Sequence, residues 1–350
     1  MGFIDADAHI DETEETWNYM APAEARHRPV WLDTQTGEGI LPKNRRSRGV
    51  WLIGGNVWLR RYRDDRITGT TVGTRELMDV EGRLRHMDEL GVDVQVIYPT
   101  TFIFTVTDQP EVEAAVHGAY NRWLADKTAP SGGRLRWSYL PPVLSMDRAV
   151  GEMEWARDHG ACCVLRKGVE YNRPASDPYF FPLYEEAERL NIPVCFHLGN
   201  GSMVPNVTDA AQLSRLNLLA AFAALTEDRV AEQFTSLRFG FIEAGAQWIP
   251  YMMKDLAMRG KQSQYGYDYK TAFLKRNRFF VTCDTEDDLP YLLQYGAEDQ
   301  LMIGTDYSHA DQSAELRAPR VLVERAEKGE LPAEVVRKIV SENARAFYGL

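Results

Sequence analysis

The residues best suited to chemistry lie near the start of the chain, in the segment IDADAHIDE at residues 4–12. On a β-strand alternate residues face the same side, so Asp5, Asp7 and His9 would share one face. Three ionisable groups that point into a protein interior are costly unless something binds them. A divalent metal removes that cost, because a carboxylate and an imidazole two residues apart can both reach one ion. The pattern favours a metal-binding strand over its alternative, an exposed edge strand with solvated acids.

Three later apolar runs also end in an ionisable residue. The run IPVCFH ends in His197, LRFGFIE ends in Glu243, and LMIGTD ends in Asp306, with His309 three residues further on. A single histidine after an apolar run is usually structural. If the runs are parallel strands of one barrel, however, closure of the barrel brings their ends together, and the whole set becomes a candidate site.

The elements that must position these residues follow one pattern, in which short apolar runs alternate with segments of helical period. Alternation of about eight strands and helices over 350 residues predicts an α/β chain folded as a (β/α)8 TIM barrel. The alternative is an open doubly wound sheet, but no GxGxxG follows the first run. The predicted strands are Phe3–Ala8, Val92–Tyr98, Leu135–Pro141, Ala161–Leu165, Pro193–Phe196, Leu237–Ile242, Arg278–Cys283 and Gln300–Thr305.

One long segment interrupts this alternation. Residues 11–72 separate the first strand from a helix predicted over Thr74–Leu90, and Val50–Ile53 and Val57–Arg61 are predicted to pair as a hairpin. We interpret residues 1–350 as a single barrel domain with residues 11–72 as an inserted subdomain. An insertion after strand 1 emerges at the C-terminal face, where active sites lie. The subdomain is therefore either a lid over the site or an element that only packs on the barrel.

Composition limits the classes of partner. The net charge of −11 argues against binding to nucleic acid or to an anionic membrane, and no apolar run is long enough to cross a bilayer. The start MGFIDADAH lacks the features of a signal peptide, and the four cysteines suggest buried free thiols. We therefore expect a cytoplasmic protein that acts on a small molecule.

The whole pattern resembles the amidohydrolase superfamily, and within it the amidohydrolase-2 family, which includes aminocarboxymuconate-semialdehyde decarboxylase. The resemblance covers nearly the whole chain. It rests on the opening DADAH, the strand GVDVQVIYP, the stretch DPYFFPLYEEAERLNIPVCFHLG, the segments FIEAGAQWIPYMMKDL and LMIGTDYSHAD, and the closing ENARAFYGL.

The resemblance implies a metal site and roles for particular residues. The HxH motif of the superfamily corresponds to Asp7 and His9, with a carboxylate in place of the first histidine. The strand 5 histidine corresponds to His197, and the strand 8 aspartate corresponds to Asp306, which in relatives binds metal and moves protons. At strand 6, where many relatives have histidine, this chain has Glu243, which would orient a ligand or the substrate.

Several further residues have more than one interpretation. Glu12 and His309 would supply enough ligands for a second ion, so we expect one or two divalent ions per chain, with Zn, Mn or Fe all compatible. Alternatively, Glu12 pairs with an arginine such as Arg45 or Arg60, and His309 only orients Asp306 for catalysis. Arg166 or an arginine of the inserted segment is the candidate for binding a substrate carboxylate.

The first functional hypothesis is a metal-dependent hydrolase acting on an amide, ester or C–C bond, in which Asp306 moves the proton of a metal-activated water. The second is a non-oxidative decarboxylase of an aromatic or unsaturated acid. The third is a dinuclear iron or iron–manganese enzyme that activates dioxygen. The fourth is an inactive, metal-stabilised subunit, so a homo-oligomer or a hetero-oligomer with a related chain is expected.

Overall fold

The computed structural model describes residues 2–33, 47–61, 63–199, 211–260 and 272–350. Its main sheet has eight parallel strands in the order in which they occur along the chain, and they form a nearly closed barrel. These strands are β1 (Phe3–His9), β5 (Val92–Tyr98), β6 (Leu135–Tyr139), β7 (Ala161–Arg166), β10 (Val194–His197), β11 (Phe239–Ile242), β12 (Phe279–Cys283) and β13 (Leu301–Ile303). The prediction of a (β/α)8 barrel is therefore confirmed.

Five further strands lie outside the barrel in the part of the chain that the structure describes. Three form an antiparallel sheet, namely β2 (Val30–Asp33), β3 (Ser47–Ile53) and β4 (Asn56–Arg61), and two form a small hairpin, β8 (Val169–Glu170) and β9 (Arg173–Pro174). The predicted hairpin is thus present between β3 and β4, and β2 adds to it a third strand that the sequence pattern did not indicate.

Helices cover the outside of the barrel. The α-helices are α1 (Asp65–Thr68), α2 (Val72–Arg75), α3 (Val80–Leu90), α4 (Pro110–Thr128), α5 (Met146–Gly151), α6 (Met153–Asp158), α7 (Phe181–Arg189), α8 (Ala211–Glu227), α9 (Val230–Gln233), α10 (Ile249–Gly260), α11 (Phe273–Asn277), α12 (Leu289–Leu293), α13 (Ala318–Glu327), α14 (Ala333–Arg337) and α15 (Asn343–Tyr348). Four 3-10 helices cover Thr16–Tyr19, Pro22–His27, Ala129–Ser131 and Pro178–Phe180, and a π-helix covers Lys338–Glu342.

The helix predicted over Thr74–Leu90 is wrong in its first half. The chain forms α2, breaks, and starts again as α3, with the Asp79 side chain accepting a hydrogen bond from the backbone N–H of Gly82. Leu77 lies in the break with φ of 52°, a left-handed conformation that a helix cannot contain, and Met78 is exposed. Leu77 and Met78 fitted the apolar stripe of the predicted helix, but the backbone is not helical at these two residues.

The inserted sheet lies against loops at the C-terminal face of the barrel. Trp58 donates its indole N–H to the carbonyl of Val106 at 2.9 Å, and its ring stacks on Phe104, in the loop that follows β5. Arg63 donates to Asp11 Oδ1 at 3.0 Å and to the carbonyl of Ser308, beyond β13, at 2.9 Å. These contacts place β4 and the residues after it beside the ends of the barrel strands. A lid function for this segment stays a prediction.

The barrel closes at the seam between its first and last strands. The N–H of His9 donates to the carbonyl of Tyr307, and the N–H of Asp306 donates to the carbonyl of Asp7, both at 2.9 Å. The buried carboxylate of Asp5 strengthens the seam, because it accepts hydrogen bonds from the N–H and hydroxyl of Thr305 at 2.8 and 2.6 Å. Asp5 thus serves the closure of the barrel rather than the candidate site.

Other sequence expectations concern the surroundings of the protein. All four cysteines are buried and unbridged. Among the described residues, no helix has the length and apolar character needed to span a membrane. The cytoplasmic location and the oligomeric state stay predictions.

Candidate metal centre

The ends of three barrel strands bring a set of buried ligand atoms together. Asp7 and His9 come from β1, His197 ends β10, and Glu243 directly follows β11. Their ligand atoms lie within 4.8 Å of one another, and we call these four residues the inner group. Each of them is at most 4% exposed. Parallel strands that end at one rim of a barrel produce this convergence.

The distances within the inner group fit a small cation. Asp7 Oδ1 lies 3.4 Å from His9 Nε2 and 3.3 Å from His197 Nε2. Glu243 Oε2 lies 3.4 Å from His9 Nε2 and 3.3 Å from His197 Nε2. Four ligand atoms about 2.0–2.1 Å from a tetrahedral ion would be about 3.3–3.4 Å apart. These four of the six spacings in the group match those of a tetrahedral metal site.

The two histidines of the inner group have the correct orientation to be ligands. His9 Nδ1 lies 2.9 Å from the carbonyl of Pro99, and His197 Nδ1 lies 2.7 Å from the carbonyl of Leu198. A carbonyl can only accept, so each Nδ1 donates its proton there and each Nε2 is directed to the shared centre. This is the arrangement that metal-binding histidines adopt.

Buried polar atoms without hydrogen-bond partners point to the same conclusion. His9 Nε2 and Glu243 Oε2 are fully buried, and neither has a hydrogen-bond partner in the described structure. Unsatisfied buried polar atoms are rare and costly in native proteins. A cation between these two atoms could satisfy both of them, so the residues present fit a metal.

A second set of ligand atoms adjoins the first. Asp306 and His309, from the loop after β13, lie within 4.8 Å of His9 and Glu243. Asp306 Oδ1 is 3.5 Å from His9 Nε2 and 2.6 Å from His309 Nδ1. We call Glu243, Asp306 and His309 the outer group. The sequence expectation had placed Asp306 with Asp7, His9 and His197, but the structure places Glu243 there instead.

The electrostatics of the metal-free site reflect crowded ionisable groups. Burial opposes charge on His9, but the neighbouring carboxylates of Asp7 and Glu243 outweigh it and raise its pKa to about 10. Burial also opposes charge on Asp7, yet His197 and His9 lower its pKa to about 2. Burial and the Glu243 carboxylate raise the pKa of Asp306 well above its usual range. Protons therefore occupy part of this site when the metal is absent.

The backbone is strained where two of the ligands lie. Glu243 has φ of 65° and Asp306 has φ of 50°, both in the left-handed region that residues with a Cβ seldom adopt. Such strain costs of order 1–3 kcal/mol and collects at functional sites. Here it accompanies the turn of both carboxylates into the barrel mouth.

Glu12, a sequence candidate for a ligand, lies outside both groups. Its carboxylate accepts hydrogen bonds from the backbone N–H of Thr100 at 3.0 Å and from the hydroxyl of Thr101 at 2.8 Å. These bonds hold the loop after β5 against the start of the inserted segment. The alternative pairing with Arg60 is also absent, because Arg60 pairs with Glu76, and Arg45 lies outside the described residues.

Arg166, the sequence candidate for binding a substrate carboxylate, is directed elsewhere. It is fully buried, forms an ion pair with Glu170, and lies over the ring of Phe180. It also donates to the hydroxyl of Tyr184 on α7, so it faces the helices and not the barrel mouth. Arg166 is the last residue of β7. Because consecutive residues of a strand face opposite sides, a position at a strand end does not by itself determine whether a side chain faces the barrel interior or the helices.

A cavity of about 490 Å³ opens over the outer group, and it contains Arg215, which the sequence analysis did not single out. Arg63 and Arg215 line it together with Glu243, His309 and other residues, namely Thr100, Ile103, Phe104, Leu198, Ser214, Ala310, Asp311, Gln312 and Ser313. Arg215 forms no ion pair with any residue that the structure describes. Burial and the Asp287 carboxylate raise the pKa of nearby Asp284 to about 7, and the charge of Arg215 offsets this rise only in part. The only feature of the sequence that could have indicated Arg215 as a cavity residue is its position on α8, the helix after β10.

A second cluster missed from the sequence supports β1 from behind. The guanidinium of Arg83 is fully buried and donates to the carbonyl of His9 at 3.0 Å and to Gln95 Oε1 at 2.9 Å. Gln95 in turn donates to Asp5 Oδ2 at 2.9 Å. This chain of hydrogen bonds fixes the strand that carries Asp7 and His9.

Comparison with known proteins agrees with this geometry. A family model described as Amidohydrolase matches residues 4–350. An amidohydrolase from Mycobacterium avium subsp. paratuberculosis is similar in structure, with a TM-score of 0.78, 19% identity and coverage of 99% of each chain. A manganese-bound 5-carboxyvanillate decarboxylase from Novosphingobium aromaticivorans has a TM-score of 0.69 and 15% identity, covering 99% of this chain and 97% of that one. A 2,6-dihydroxybenzoate decarboxylase from Rhizobium has a TM-score of 0.63 and 16% identity, covering 100% of this chain and 99% of that one.

Proposed function

Since this chain belongs to the amidohydrolase family, we propose that it is a metal-dependent hydrolase of a small, carboxylate-bearing substrate. The observation that carries the proposal is the position of the buried, unsatisfied ligand atoms directly below a cavity lined by two arginines. Family membership and the ligand groups support an enzyme that depends on a divalent metal. The bond that is cleaved and the identity of the metal are the parts that we propose.

Asp7, His9, His197 and Glu243 would hold the ion. When bound, a divalent ion lowers the pKa of a water molecule to about 7 and polarises a carbonyl oxygen. The Nδ1 bonds of His9 and His197 to backbone carbonyls fix both imidazoles for this purpose.

Asp306 is the residue we assign to proton transfer. Its Oδ1 faces the ligand groups, while its Oδ2 lies 3.2 Å from the hydroxyl of Ser313 at the cavity wall. Oδ2 is thus placed to accept a proton from water and to return it to the leaving group. His309, with Nδ1 2.6 Å from Asp306 Oδ1, holds that carboxylate in position.

Arg63 and Arg215 supply the preference for an anionic substrate. The charge of Arg63 is balanced by Asp11, 3.0 Å away, whereas Arg215 has no such partner among the described residues. A guanidinium in a partly enclosed cavity binds a carboxylate in a fixed, two-point geometry. Phe104 and Ile103 provide apolar walls that exclude water from the rest of the substrate.

Non-oxidative decarboxylation is the second candidate, and the structural neighbours favour it. Two of them are decarboxylases of aromatic acids, and one contains manganese. In this reaction the arginines would bind the substrate carboxylate, and Asp306 would deliver its proton to carbon. The same cavity and the same residues would serve both reactions, so the product must decide between them.

The test is a product analysis with metal-reconstituted protein. We would supply carboxylate-bearing aryl esters and amides together with 2,6-dihydroxybenzoate and 5-carboxyvanillate, in water enriched in oxygen-18. Hydrolysis places one solvent oxygen in the product and releases no CO2, whereas decarboxylation releases CO2 and incorporates no oxygen. Uptake of dioxygen by the iron-loaded protein would instead support the oxidative hypothesis. Turnover unchanged after complete removal of metal would refute the proposal.

A further inference from the structure

We propose that Thr100 is a positioning residue for the reaction, because its hydroxyl fixes the tautomer of His309 and so turns the Nδ1 lone pair of that ring to Asp306. The inference rests on the proposed function, in which Asp306 moves the proton. Thr100 is the second residue after β5, and it lines the cavity over the outer group. Its hydroxyl takes part in two contacts, and the direction of one determines the direction of the other.

The hydroxyl of Thr100 donates to the carbonyl of Ile10. The two oxygen atoms are 2.6 Å apart, and a carbonyl can only accept a hydrogen bond. Thr100 Oγ1 also lies 3.2 Å from His309 Nε2. Since the single hydroxyl proton is directed to Ile10, Nε2 of His309 must be the donor in this second contact. The proton of the neutral imidazole is therefore on Nε2.

This tautomer gives Asp306 a proton acceptor. When Nε2 carries the proton, a neutral imidazole presents a lone pair at Nδ1. Nδ1 of His309 lies 2.6 Å from Asp306 Oδ1, a distance at which two groups can exchange a proton, whereas Asp311 Oδ2 is 3.8 Å away and Glu243 Oε1 is 4.0 Å away. The buried ring also stacks on His9, with the ring centroids 3.9 Å apart, and this contact opposes reorientation.

A proton shared by Asp306 and His309 extends the proposed proton transfer by one residue. A lone pair and a carboxylate oxygen repel each other at 2.6 Å, so the resting pair holds one proton. When Asp306 Oδ2 receives a proton from water, the shared proton moves to His309 Nδ1. It returns to Oδ1 when Oδ2 gives its proton to the leaving group, and the pair is restored. The opposite tautomer, with its proton on Nδ1, could not accept a proton from Asp306.

Glu12 holds the loop that carries Thr100. Its buried carboxylate accepts hydrogen bonds from the backbone N–H of Thr100 at 3.0 Å and from the N–H and hydroxyl of Thr101 at 3.1 and 2.8 Å. These bonds keep the Thr100 hydroxyl opposite His309. Glu12 therefore supports the same arrangement from a position outside both ligand groups.

The experiment observes the tautomer of His309 and the rate in the same protein. The protein is loaded with Zn2+ and labelled with nitrogen-15 at histidine, because nuclear magnetic resonance distinguishes protonated from unprotonated ring nitrogens. The signals of His309 are those that disappear in His309→Gln. We expect a proton on Nε2 in the unaltered protein. Turnover is measured with 4-acetoxybenzoate for hydrolysis and with 2,6-dihydroxybenzoate for decarboxylation.

Three threonine variants separate the hydroxyl from the shape of the side chain. Thr100→Val removes the hydroxyl; it should shift the His309 signals away from the pure Nε2–H tautomer and lower kcat about tenfold, with KM changed by less than about twofold. Thr100→Ser restores the hydroxyl and should restore both properties. Thr105→Val is the matched control, because buried Thr105 lies in the same loop and its hydroxyl has no hydrogen-bond partner among the described residues. It should change neither property.

Each alternative result has a definite meaning. A proton held on Nδ1 of His309 in the unaltered protein would overturn this inference and leave the proposed function intact. Unchanged signals and an unchanged kcat in Thr100→Val would also overturn it, and so would a loss in Thr100→Ser as large as that in Thr100→Val. Turnover that persists without metal would refute the proposed function, whatever the tautomer. Circular dichroism would establish that the variants are folded, and Thr100→Ser decides the question if Thr100→Val does not fold.

Discussion

Metal uptake by this centre should release protons, and His9 determines the minimum number. In the metal-free protein the pKa of His9 is raised to about 10, so between about pH 7 and 9 its Nε2 carries a proton. A histidine ligand must be neutral, and the incoming ion therefore displaces that proton. We expect the apparent affinity to rise about tenfold per pH unit over this range for each proton released.

The sign of this dependence follows from the direction of the shift. A raised pKa means that protons compete with the metal throughout neutral pH, so acid weakens binding and base strengthens it until the pH passes the pKa. Asp7, with its pKa lowered to about 2, is already ionised and adds nothing to the slope. Asp306, whose pKa is raised by burial, would make the slope steeper where it carries a proton.

Calorimetry provides the assay. Zn2+ or Mn2+ would be titrated into the stripped protein at several pH values, each in two buffers with different ionisation enthalpies, which gives the number of protons released per ion. His159→Gln, a change at an exposed histidine remote from the centre, is the control and should leave the slope unchanged. An affinity that is constant from pH 7 to 9, with no proton released, would refute the interpretation of His9.

Three further predictions concern single residues. His197→Ala and Asp306→Ala should each strip metal or abolish turnover while circular dichroism shows an intact barrel; normal metal content and rate in both would count against the site. Arg215→Ala should raise KM for an anionic substrate at least tenfold, about 1.4 kcal/mol, with a smaller effect on kcat. Arg166→Ala should lower stability by about 1–3 kcal/mol in denaturant titrations, because buried Glu170 then keeps only Lys167, 3.5 Å away, as a cationic partner. Asp5→Ala should lower the free energy of unfolding by about 2–5 kcal/mol, since several buried donors lose their acceptor, and a change below about 0.5 kcal/mol would contradict its role in the seam.

The barrel could be predicted from the sequence because its strands are short, apolar and regularly spaced. Val92–Tyr98 has the predicted bounds, and the other barrel strands differ at their ends by a few residues. The sequence could predict that four site residues lie close together, because each is at or near the end of such a strand. These residues are Asp7, His9, His197 and Asp306. The sequence shows locally that a residue lies at the end of a strand. Closure of the barrel then brings the ends of separate strands together at one rim.

What the sequence could not determine was the direction of side chains and the partners they meet. Glu12 and Arg166 have suitable chemistry close to suitable strands, yet one turns to the backbone of Thr100 and the other to Glu170. Glu243 was expected to orient other groups, but a left-handed turn at its own backbone aims it into the centre. Arg215, far from any strand motif, reaches the cavity only through the packing of α8.

Because the metal ligands lie beside the seam between β1 and β13, the metal centre also affects the stability of the barrel. The inner ligands Asp7 and His9 lie on one side of that seam and the outer ligands Asp306 and His309 on the other, and only a short hydrogen-bonded bridge joins the strands themselves. An ion held by Asp7, His9, His197 and Glu243 would instead cross-link β1 to β10 and β11, between positions up to about 240 residues apart. By the relation used for disulfides, such a link removes about 5–6 kcal/mol of chain entropy from the unfolded state. Demetallation should therefore loosen the first and last strands before the middle of the barrel, and the amide protons of His9 and Asp306 should be among the first in the sheet to exchange with solvent.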